Sequence, residues 1–273
     1  MSQCSILACQ VSVPETRSCD DRDNHVDRIS ELISQKLSVQ CSDLVVLPEL
    51  STVEYSRQSF SILKSLAETL DGRSVRVWQE VAKKYSCHIV FGMPRIQDDQ
   101  YRISQIVIDS NGNVGGYYDK LHMCQYGASM EKDFFSRGES LHIFSINNIR
   151  FSPIICYDIR MPELSRTLTL DHSVDCILHS GAYFRDESFD SWKAFVTTRS
   201  MENQIYLLSL NRAGVDFGQS MFASPWTDQR SPIIMLDDTA ECFERFTVSS
   251  DCIRAIRRNY TFLADKLNHY EAL

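Results

Sequence analysis

Short apolar runs alternate with helical segments along this chain, and no other sequence feature restricts its possible folds as much. Residues 4–13 and the run "DLVVLPEL" at 43–50 are predicted strands, and the segment between them, 20–37, has helical periodicity. Its inner face carries Val26, Ile29, Ile33 and Leu37. The stretch "SNGN" at 110–113 predicts a hairpin turn between two later strands. Strands that alternate with helices in this way predict an α/β chain, in which a mixed sheet is layered with helices.

The middle and the end of the chain continue this pattern. Residues 57–85 are predicted as helix with an interruption at Asp71-Gly72, and a second helix is predicted at 188–202. The second helix is expected to bury Trp192, Phe195 and Val196. Late strands are predicted at 217–223, 231–236 and 242–248. No linker or repeat divides the 273 residues, so we expect one domain with one core.

The charge and the N-terminal sequence restrict the partners and the compartment. A net charge of −8 disfavours a surface for nucleic acid or anionic membranes, because both bind clustered Lys and Arg. The first residues lack the basic region of a signal peptide, and no apolar run approaches the length of a membrane span. We therefore expect a cytoplasmic protein without nucleic-acid or membrane partners, which binds a small molecule or another protein chain.

Ten cysteines are present, but they form no CxxC pair. In a long chain without a secretory signal, this usage indicates reduced thiols rather than a disulfide framework. Cys9, Cys87 and Cys176 lie within apolar runs, where free cysteine serves as a small core residue. A cysteine with a chemical role must therefore be recognised by its neighbours.

One cysteine, Cys156, ends a β-branched run in "FSPIICYDIRMPEL" (151–164), where the chain turns polar before a predicted helix. A strand–turn–helix transition exposes a side chain and offers backbone N–H groups to an anion. Glu49 and Lys120 also lie at or just beyond the ends of predicted strands. Strand ends gather at one edge of a layered α/β fold, so these side chains are candidates for one site. Taken singly, either charged residue is better explained as a surface group.

Histidine is the usual partner of a catalytic cysteine, and the chain has seven histidines. His122, His142 and His179 are candidates, although their surroundings match no papain-like or caspase-like signature. A Cys–His pair therefore stays open as an alternative. The sequence lacks structural zinc clusters, HExxH and GxxxxGK[ST], so no metal and no cofactor is expected.

Six strings in a fixed order resemble the carbon–nitrogen hydrolase family, also called the nitrilase superfamily. The strand-end residues lie in "VVLPEL", "YYDKLH" and "IICYDIRMPEL". Three further strings, at 131–140, 197–214 and 217–226, are "EKDFFSRGES", "TTRSMENQIYLLSLNRAG" and "FGQSMFASPW". The likeness spans most of the chain.

The resemblance implies an αββα sandwich that forms a homodimer with an αββα–αββα core. Residues 1–273 would be a single carbon–nitrogen hydrolase domain. The C-terminal segment 259–273, with Phe262 and Leu263, is expected at the dimer surface, because its apolar residues suit a partner chain.

The resemblance also implies a Glu-Lys-Cys triad. Glu49 would be the base, Lys120 the oxyanion partner and Cys156 the nucleophile, with Glu131 as a second carboxylate that orients Lys120 and the substrate amide. The peptide N–H of Tyr157 would face the developing oxyanion.

The string "CYDIRMPEL" resembles the amidase branch, which includes omega-amidase and the deaminated-glutathione amidases, whereas nitrilases usually have Trp-Glu after the cysteine. Hydrolysis of a small linear amide is therefore expected. Hydrolysis of an N-carbamoyl amine or amino acid is the nearest alternative, and a non-catalytic binding protein is a third. Where the family often has Pro before a small residue and an aromatic, this chain has "HSGAYF". This departure concerns the pocket wall, so it bears on the identity of the substrate.

Three residues are predicted to bind the substrate: Tyr157, Arg160 and Tyr183. Arg160, or Arg185 nearby, is suited to a substrate carboxylate, because guanidinium binds carboxylate with two parallel hydrogen bonds. A structural ion pair between Arg160 and Glu163 is the competing explanation.

Overall fold

Two six-stranded sheets pack face to face, and helices cover the outer face of each sheet. The computed structural model describes residues 2–267. The first sheet contains β1 (Gln3–Gln10), β2 (Leu44–Val46), β3 (His88–Gln97), β4 (Gln100–Ile108), β5 (Val114–Asp119) and β12 (Cys242–Ser249). The second contains β6 (Phe144–Ile146), β7 (Ile149–Ile155), β8 (Cys176–Ser180), β9 (Tyr206–Leu210), β10 (Met221–Ala223) and β11 (Ile234–Met235). The predicted αββα sandwich is confirmed.

Helices connect the parallel strands and form the two outer layers. Those of the first half are α1 (Cys19–Val39), α2 (Arg57–Ser61), α3 (Leu63–Leu66) and α4 (Arg73–Tyr85). Those of the second half are α5 (Pro162–Leu170), α6 (Phe189–Asn203), α7 (Ser250–Asn259) and α8 (Phe262–Asp265). Two short 3₁₀ turns, Glu131–Asp133 and Cys156–Arg160, contain predicted site residues.

Both sheets follow the same plan. In the first sheet β1, β2 and β3 run parallel, and β12 is antiparallel to β1. On the other side of the sheet, β4 is antiparallel to β3 and β5 is antiparallel to β4. In the second sheet β7, β8 and β9 run parallel, with antiparallel β6 on one side and β10–β11 on the other. The carboxyl ends of the parallel strands therefore share one edge in each sheet, and sites in α/β folds form at such edges.

The central strands are buried on both faces, which explains their nearly continuous apolar sequence. In β1, Ile6 and Ala8 belong to the cluster between the sheets. The alternate residues Leu7 and Cys9 belong to the cluster beneath the helices, with Ile29 of α1. This alternation is the period of two expected for a strand.

The predicted helix 57–85 is instead three separate helices. Residues 67–72 leave the helix because the backbone of Glu68 pairs with β3, through hydrogen bonds to Pro94 and Ile96. This pairing with β3 makes the break in the helix longer than the Asp71-Gly72 sequence alone predicts. The helices predicted at 20–37 and 188–202 are confirmed with small differences at their ends.

The first two late strands are shorter than predicted, whereas the strand predicted at 242–248 is confirmed as β12. Gly218 and Gln219 have positive φ angles of 89° and 55°, so β10 begins only at Met221. The predicted core cysteines, Cys9, Cys87 and Cys176, are all fully buried.

The predicted dimer segment is only partly described, because residues 268–273 lie outside the described residues. Within the described part Phe262 is 47% exposed, whereas Leu263 is half-buried. The dimer itself stays a prediction. Among residues 2–267, no helix combines the length and the apolar character that a bilayer span requires.

Candidate active site

Lys120 lies between two carboxylates at the junction of the two sheets. Its Nζ is 2.8 Å from Oε1 of Glu49 and 2.5 Å from Oε1 of Glu131. All three side chains are fully buried. Glu49 follows β2, Lys120 follows β5 directly, and Glu131 begins the first 3₁₀ turn. The fold thus brings three of the four predicted catalytic residues into direct contact.

Both carboxylates accept further hydrogen bonds from donors in the loops around the site. The Ala182 peptide N–H donates to Oε2 of Glu49 at 2.9 Å. Glu131 accepts from the Cys124 N–H and from the hydroxyl of Tyr55, both at 2.8 Å. Hydrogen bonds of this kind are needed because a buried charge without partners is strongly unfavourable. They also restrict both carboxylates to one orientation.

A second buried cation, Arg212, contacts the backbone of Glu49. Its guanidinium donates to the carbonyls of Glu49 at 3.1 Å, Leu50 at 2.7 Å and Val53 at 2.8 Å. Burial lowers the pKa of Arg212 to about 10, with Glu49 acting in the opposite direction. Arg212 and Lys120 together balance the formal charge of the two carboxylates.

The surroundings of Glu49 and Lys120 shift the pKa values of both side chains. Burial raises the pKa of Glu49, and Lys120 opposes that shift. Burial by itself would lower the pKa of Lys120, but Glu131 and Glu49 outweigh it and raise that pKa well above its usual range. Lys120 therefore stays protonated, and the proton affinity of Glu49 is higher than that of an exposed carboxylate.

Cys156 occupies a sharp turn directly after β7. Its φ angle is +47°, in the left-handed region that residues other than glycine seldom adopt, and it begins the second 3₁₀ turn. Burial and the charge of Glu49 raise the pKa of the thiol well above its usual range, against the effect of Lys120. The resting thiol is therefore protonated and depends on a base for attack.

Asp158 connects the turn that contains Cys156 with the segment that contains Lys120. Its carboxylate accepts from the Ile155 N–H at 2.9 Å and from the Tyr118 hydroxyl at 2.7 Å. It also accepts from the N–H of His122 at 3.0 Å and faces Nδ1 of the same residue at 2.7 Å. Tyr118 and His122 flank Lys120 on either side, so one buried carboxylate sets the spacing between the two segments.

The candidate histidines have other partners than the thiol. The ring of His122 bonds to Asp158, and that of His142 stacks on Phe144 with 5.9 Å between the ring centroids. Nε2 of His179 lies 2.9 Å from Cys156, but from its carbonyl oxygen. These contacts favour the carboxylate over an imidazole as the base.

A cleft opens over Cys156 and Glu131. The three predicted substrate-binding residues, Tyr157, Arg160 and Tyr183, all line it.

The Arg160 guanidinium stacks over the rings of Tyr126 at 5.5 Å and Phe195 at 4.9 Å. Within residues 2–267, no carboxylate lies within ion-pair distance of Arg160, so the alternative pair with Glu163 is not formed. Arg185, in contrast, is bound to Asp238 at 2.8 Å. Arg160 is therefore more available than Arg185 to bind an anionic group in the cleft.

Metal ligands do not cluster in the described part of the chain. Among residues 2–267, no group of three or more His, Cys, Asp or Glu side chains is arranged to hold a metal ion.

Residues 6–228 match the family described as "Carbon-nitrogen hydrolase". The chain belongs to the carbon–nitrogen hydrolase family. A probable nitrilase of Schizosaccharomyces pombe is 29% identical to this hydrolase over 272 residues, which cover 96% of this chain and 95% of that protein. A 2-oxoglutaramate amidase of Bacillus subtilis is 32% identical over 193 residues, 68% of this chain and 71% of that protein. The assignment to the amidase branch of the family is thereby confirmed.

Solved structures show the same fold. Nit3 of Saccharomyces cerevisiae, a member of branch 10 of the nitrilase superfamily, superposes with a TM-score of 0.84 at 20% identity, covering 98% of this hydrolase and 97% of that chain. An amidase from Nesterenkonia sp. gives a TM-score of 0.74 at 20% identity, with 95% and 97% covered.

Several residues that build the site had no assigned role from the sequence. Arg212 lies two residues beyond β9, so the strand-end rule that selected Lys120 could also have selected it. Tyr55 lies in a loop and carries no periodic signal. The Ala182 contact is made by a backbone N–H, which any residue could supply.

We expect Asp158→Asn to reduce the free energy of unfolding by about 2–4 kcal/mol, because the new amide group would face two donors that need an acceptor. Tyr118→Phe is the matched control, since it removes one donor and should cost only about 1 kcal/mol. Urea denaturation measures both. Equal losses in the two variants would contradict the spacing role given to Asp158.

Proposed function

We propose that this hydrolase cleaves the carbon–nitrogen bond of a small linear amide through a thioester on Cys156, releasing ammonia and a carboxylic acid. The observation that carries the proposal is the buried contact of Lys120 with Glu49 and Glu131 beside the cleft that Cys156 lines. A protonated thiol, a carboxylate with raised proton affinity and a fixed cation are the groups that acyl transfer requires.

In the first step, the carboxylate of Glu49 accepts the thiol proton while the sulfur of Cys156 attacks the amide carbon. Negative charge develops on the carbonyl oxygen, and Lys120 and the peptide N–H of Tyr157 stabilise it. One such donor typically lowers the barrier by roughly 3 kcal/mol. The tetrahedral intermediate then collapses, the carbon–nitrogen bond breaks, and ammonia leaves with the proton from Glu49.

In the second step, water hydrolyses the thioester. Glu49 accepts a proton from the water as its oxygen attacks the acyl carbon, and it returns the proton to the departing sulfur of Cys156. Lys120 and the Tyr157 N–H stabilise the second oxyanion as they did the first. Glu131 orients Lys120, to which it is bound at 2.5 Å, and the substrate amide.

A carboxylate at the far end of the amide is the substrate feature that Arg160 favours. Arg160 lines the cleft, and among the described residues no carboxylate pairs with it. Relatives named 2-oxoglutaramate amidase and omega-amidase support an amide with a distal acid group. Hydrolysis of an N-carbamoyl amino acid is the second candidate, because such a compound also presents a carboxylate. The complete Glu49–Lys120–Glu131 cluster argues against a non-catalytic binding protein.

The homodimer that the resemblance implies, and the cytoplasmic location expected from the N-terminal sequence and the cysteine usage, belong to this proposal. Light scattering at micromolar concentration should give twice the mass of the 31.4 kDa chain. A monomer mass under these conditions would rule out a shared αββα–αββα core.

The mechanism predicts that Cys156→Ala and Glu49→Gln fail in different ways. Cys156→Ala should abolish covalent chemistry, whereas Glu49→Gln should slow both acylation and thioester hydrolysis. With an activated ester, whose leaving group needs little proton donation, the Glu49→Gln protein should accumulate a thioester that intact mass spectrometry detects. Wild-type turnover by Cys156→Ala protein, or an acyl group on another cysteine, would remove Cys156 as the nucleophile.

The carboxylate preference predicts a selective effect of Arg160→Met. We expect KM for ω-amides with a distal carboxylate to rise by about tenfold or more, because a charged hydrogen bond contributes roughly 1.5–3 kcal/mol, while neutral amides of equal length change little. Ammonia release from ω-amides, N-carbamoyl amino acids and nitriles is the measurement. Arg185→Met, which removes a cation bound to Asp238, is the matched control. An equal loss on charged and neutral amides would refute the assignment of Arg160.

A further inference from the structure

The carbonyl oxygen of Cys156 accepts two hydrogen bonds from side chains of the second sheet. Nε2 of His179, on β8, lies 2.9 Å from this oxygen. The hydroxyl of Tyr183, in the loop that follows, donates to it at 2.9 Å. Both residues belong to "HSGAYF", the string in which this chain departs from the usual family sequence.

The hydrogen bonds behind His179 determine its tautomer. A carbonyl can only accept, so Nε2 carries the proton and Nδ1 must be an acceptor. Nδ1 faces the hydroxyl of Ser209 at 2.7 Å, and that oxygen accepts from the indole N–H of Trp192 at 2.8 Å. Burial lowers the pKa of His179 to about 4, which keeps the ring neutral. The bonds therefore run in one direction, from Trp192 through Ser209 and His179 to the carbonyl of Cys156.

We propose that His179 and Tyr183 polarise the peptide unit between Cys156 and Tyr157, and so strengthen the Tyr157 N–H as an oxyanion donor. This inference rests on the proposed function, in which that N–H stabilises the tetrahedral intermediate. It makes His179 a positioning and polarising residue, which acts on the oxyanion without touching the substrate.

The physical basis is the resonance of the peptide bond. The carbonyl of Cys156 and the N–H of Tyr157 belong to one planar unit, so donors at the oxygen draw electron density from the nitrogen and make its hydrogen a better donor. His179 and Ser209 are fully buried, where solvent does not weaken this effect. The same two donors also hold Cys156 in its left-handed conformation, so the structural and electronic roles must be separated by experiment.

Two reactions of the same thiol separate these roles. Alkylation by iodoacetamide requires access to the sulfur and loss of its proton, as acylation does, but it forms no oxyanion, whereas acylation by an amide or ester forms one. In His179→Leu protein, we expect the alkylation rate of Cys156 to stay near the wild-type value. Acylation should fall by about tenfold, less than the roughly 10²–10³ lost when a whole oxyanion donor is removed.

Three further variants make the test decisive. His179→Gln keeps an N–H donor toward the carbonyl and should recover most of the acylation rate, whereas Tyr183→Phe removes only a hydroxyl and should lower it as His179→Leu does. Tyr183→Phe also serves if His179→Leu fails to fold. Ser209→Ala leaves the donor of His179 in place and should have a smaller effect.

The outcomes distinguish this inference from the proposed function. Equal losses of alkylation and acylation in His179→Leu protein would mean that His179 only supports the turn. Unchanged acylation would mean that His179 does not act on the oxyanion. Either result overturns the inference. Peptide mapping must first place the inactivating alkyl group of the wild-type enzyme on Cys156. If it lies elsewhere, the proposed function itself fails.

Discussion

The ion cluster of Lys120 with Glu49 and Glu131 is the constraint on which the rest of the structure depends. Three charges in full burial are tolerated only if each finds opposite charge and hydrogen bonds. The protein meets this requirement with groups from many elements, including Arg212 beneath the base and the peptide N–H of Ala182. Because these groups come from both sheets, the cluster specifies how the two sheets must meet as well as where the site lies.

The electrostatics of the site suit a protonated nucleophile. In many reactive cysteines, nearby positive charge stabilises the thiolate. Cys156, in contrast, lies near the carboxylate of Glu49, and its thiol has a raised pKa. In the proposed mechanism, the negative charge therefore forms only when Glu49 takes the proton during attack, and Lys120 and the peptide N–H of Tyr157 then stabilise the charge on the substrate oxygen. A thiol of this kind is also a poor target for oxidation, which selects exposed thiolates.

The turn that carries the thiol is held from two directions. Asp158 binds the backbone just before Cys156 and connects it to both sides of Lys120. His179 holds the carbonyl of Cys156 from the second sheet. A residue with positive φ is unfavourable by about 1–3 kcal/mol, so such a turn persists only where several contacts hold it. The contacts that maintain the strained turn at Cys156 also connect it to the segment that carries Lys120.

Local sequence determined the elements of this protein and the positions of its chemical groups along them. Apolar periodicity located the strands, and Glu49, Lys120 and Cys156 could be selected because a strand end is a local feature. The family resemblance then supplied their roles. Only the tertiary structure decided which groups surround them. The donor to Glu49 lies 133 residues away, and Arg212 reaches the same residue across 163 residues. Such contacts depend on which strand ends meet when two sheets pack, and neither periodicity nor composition encodes that pairing.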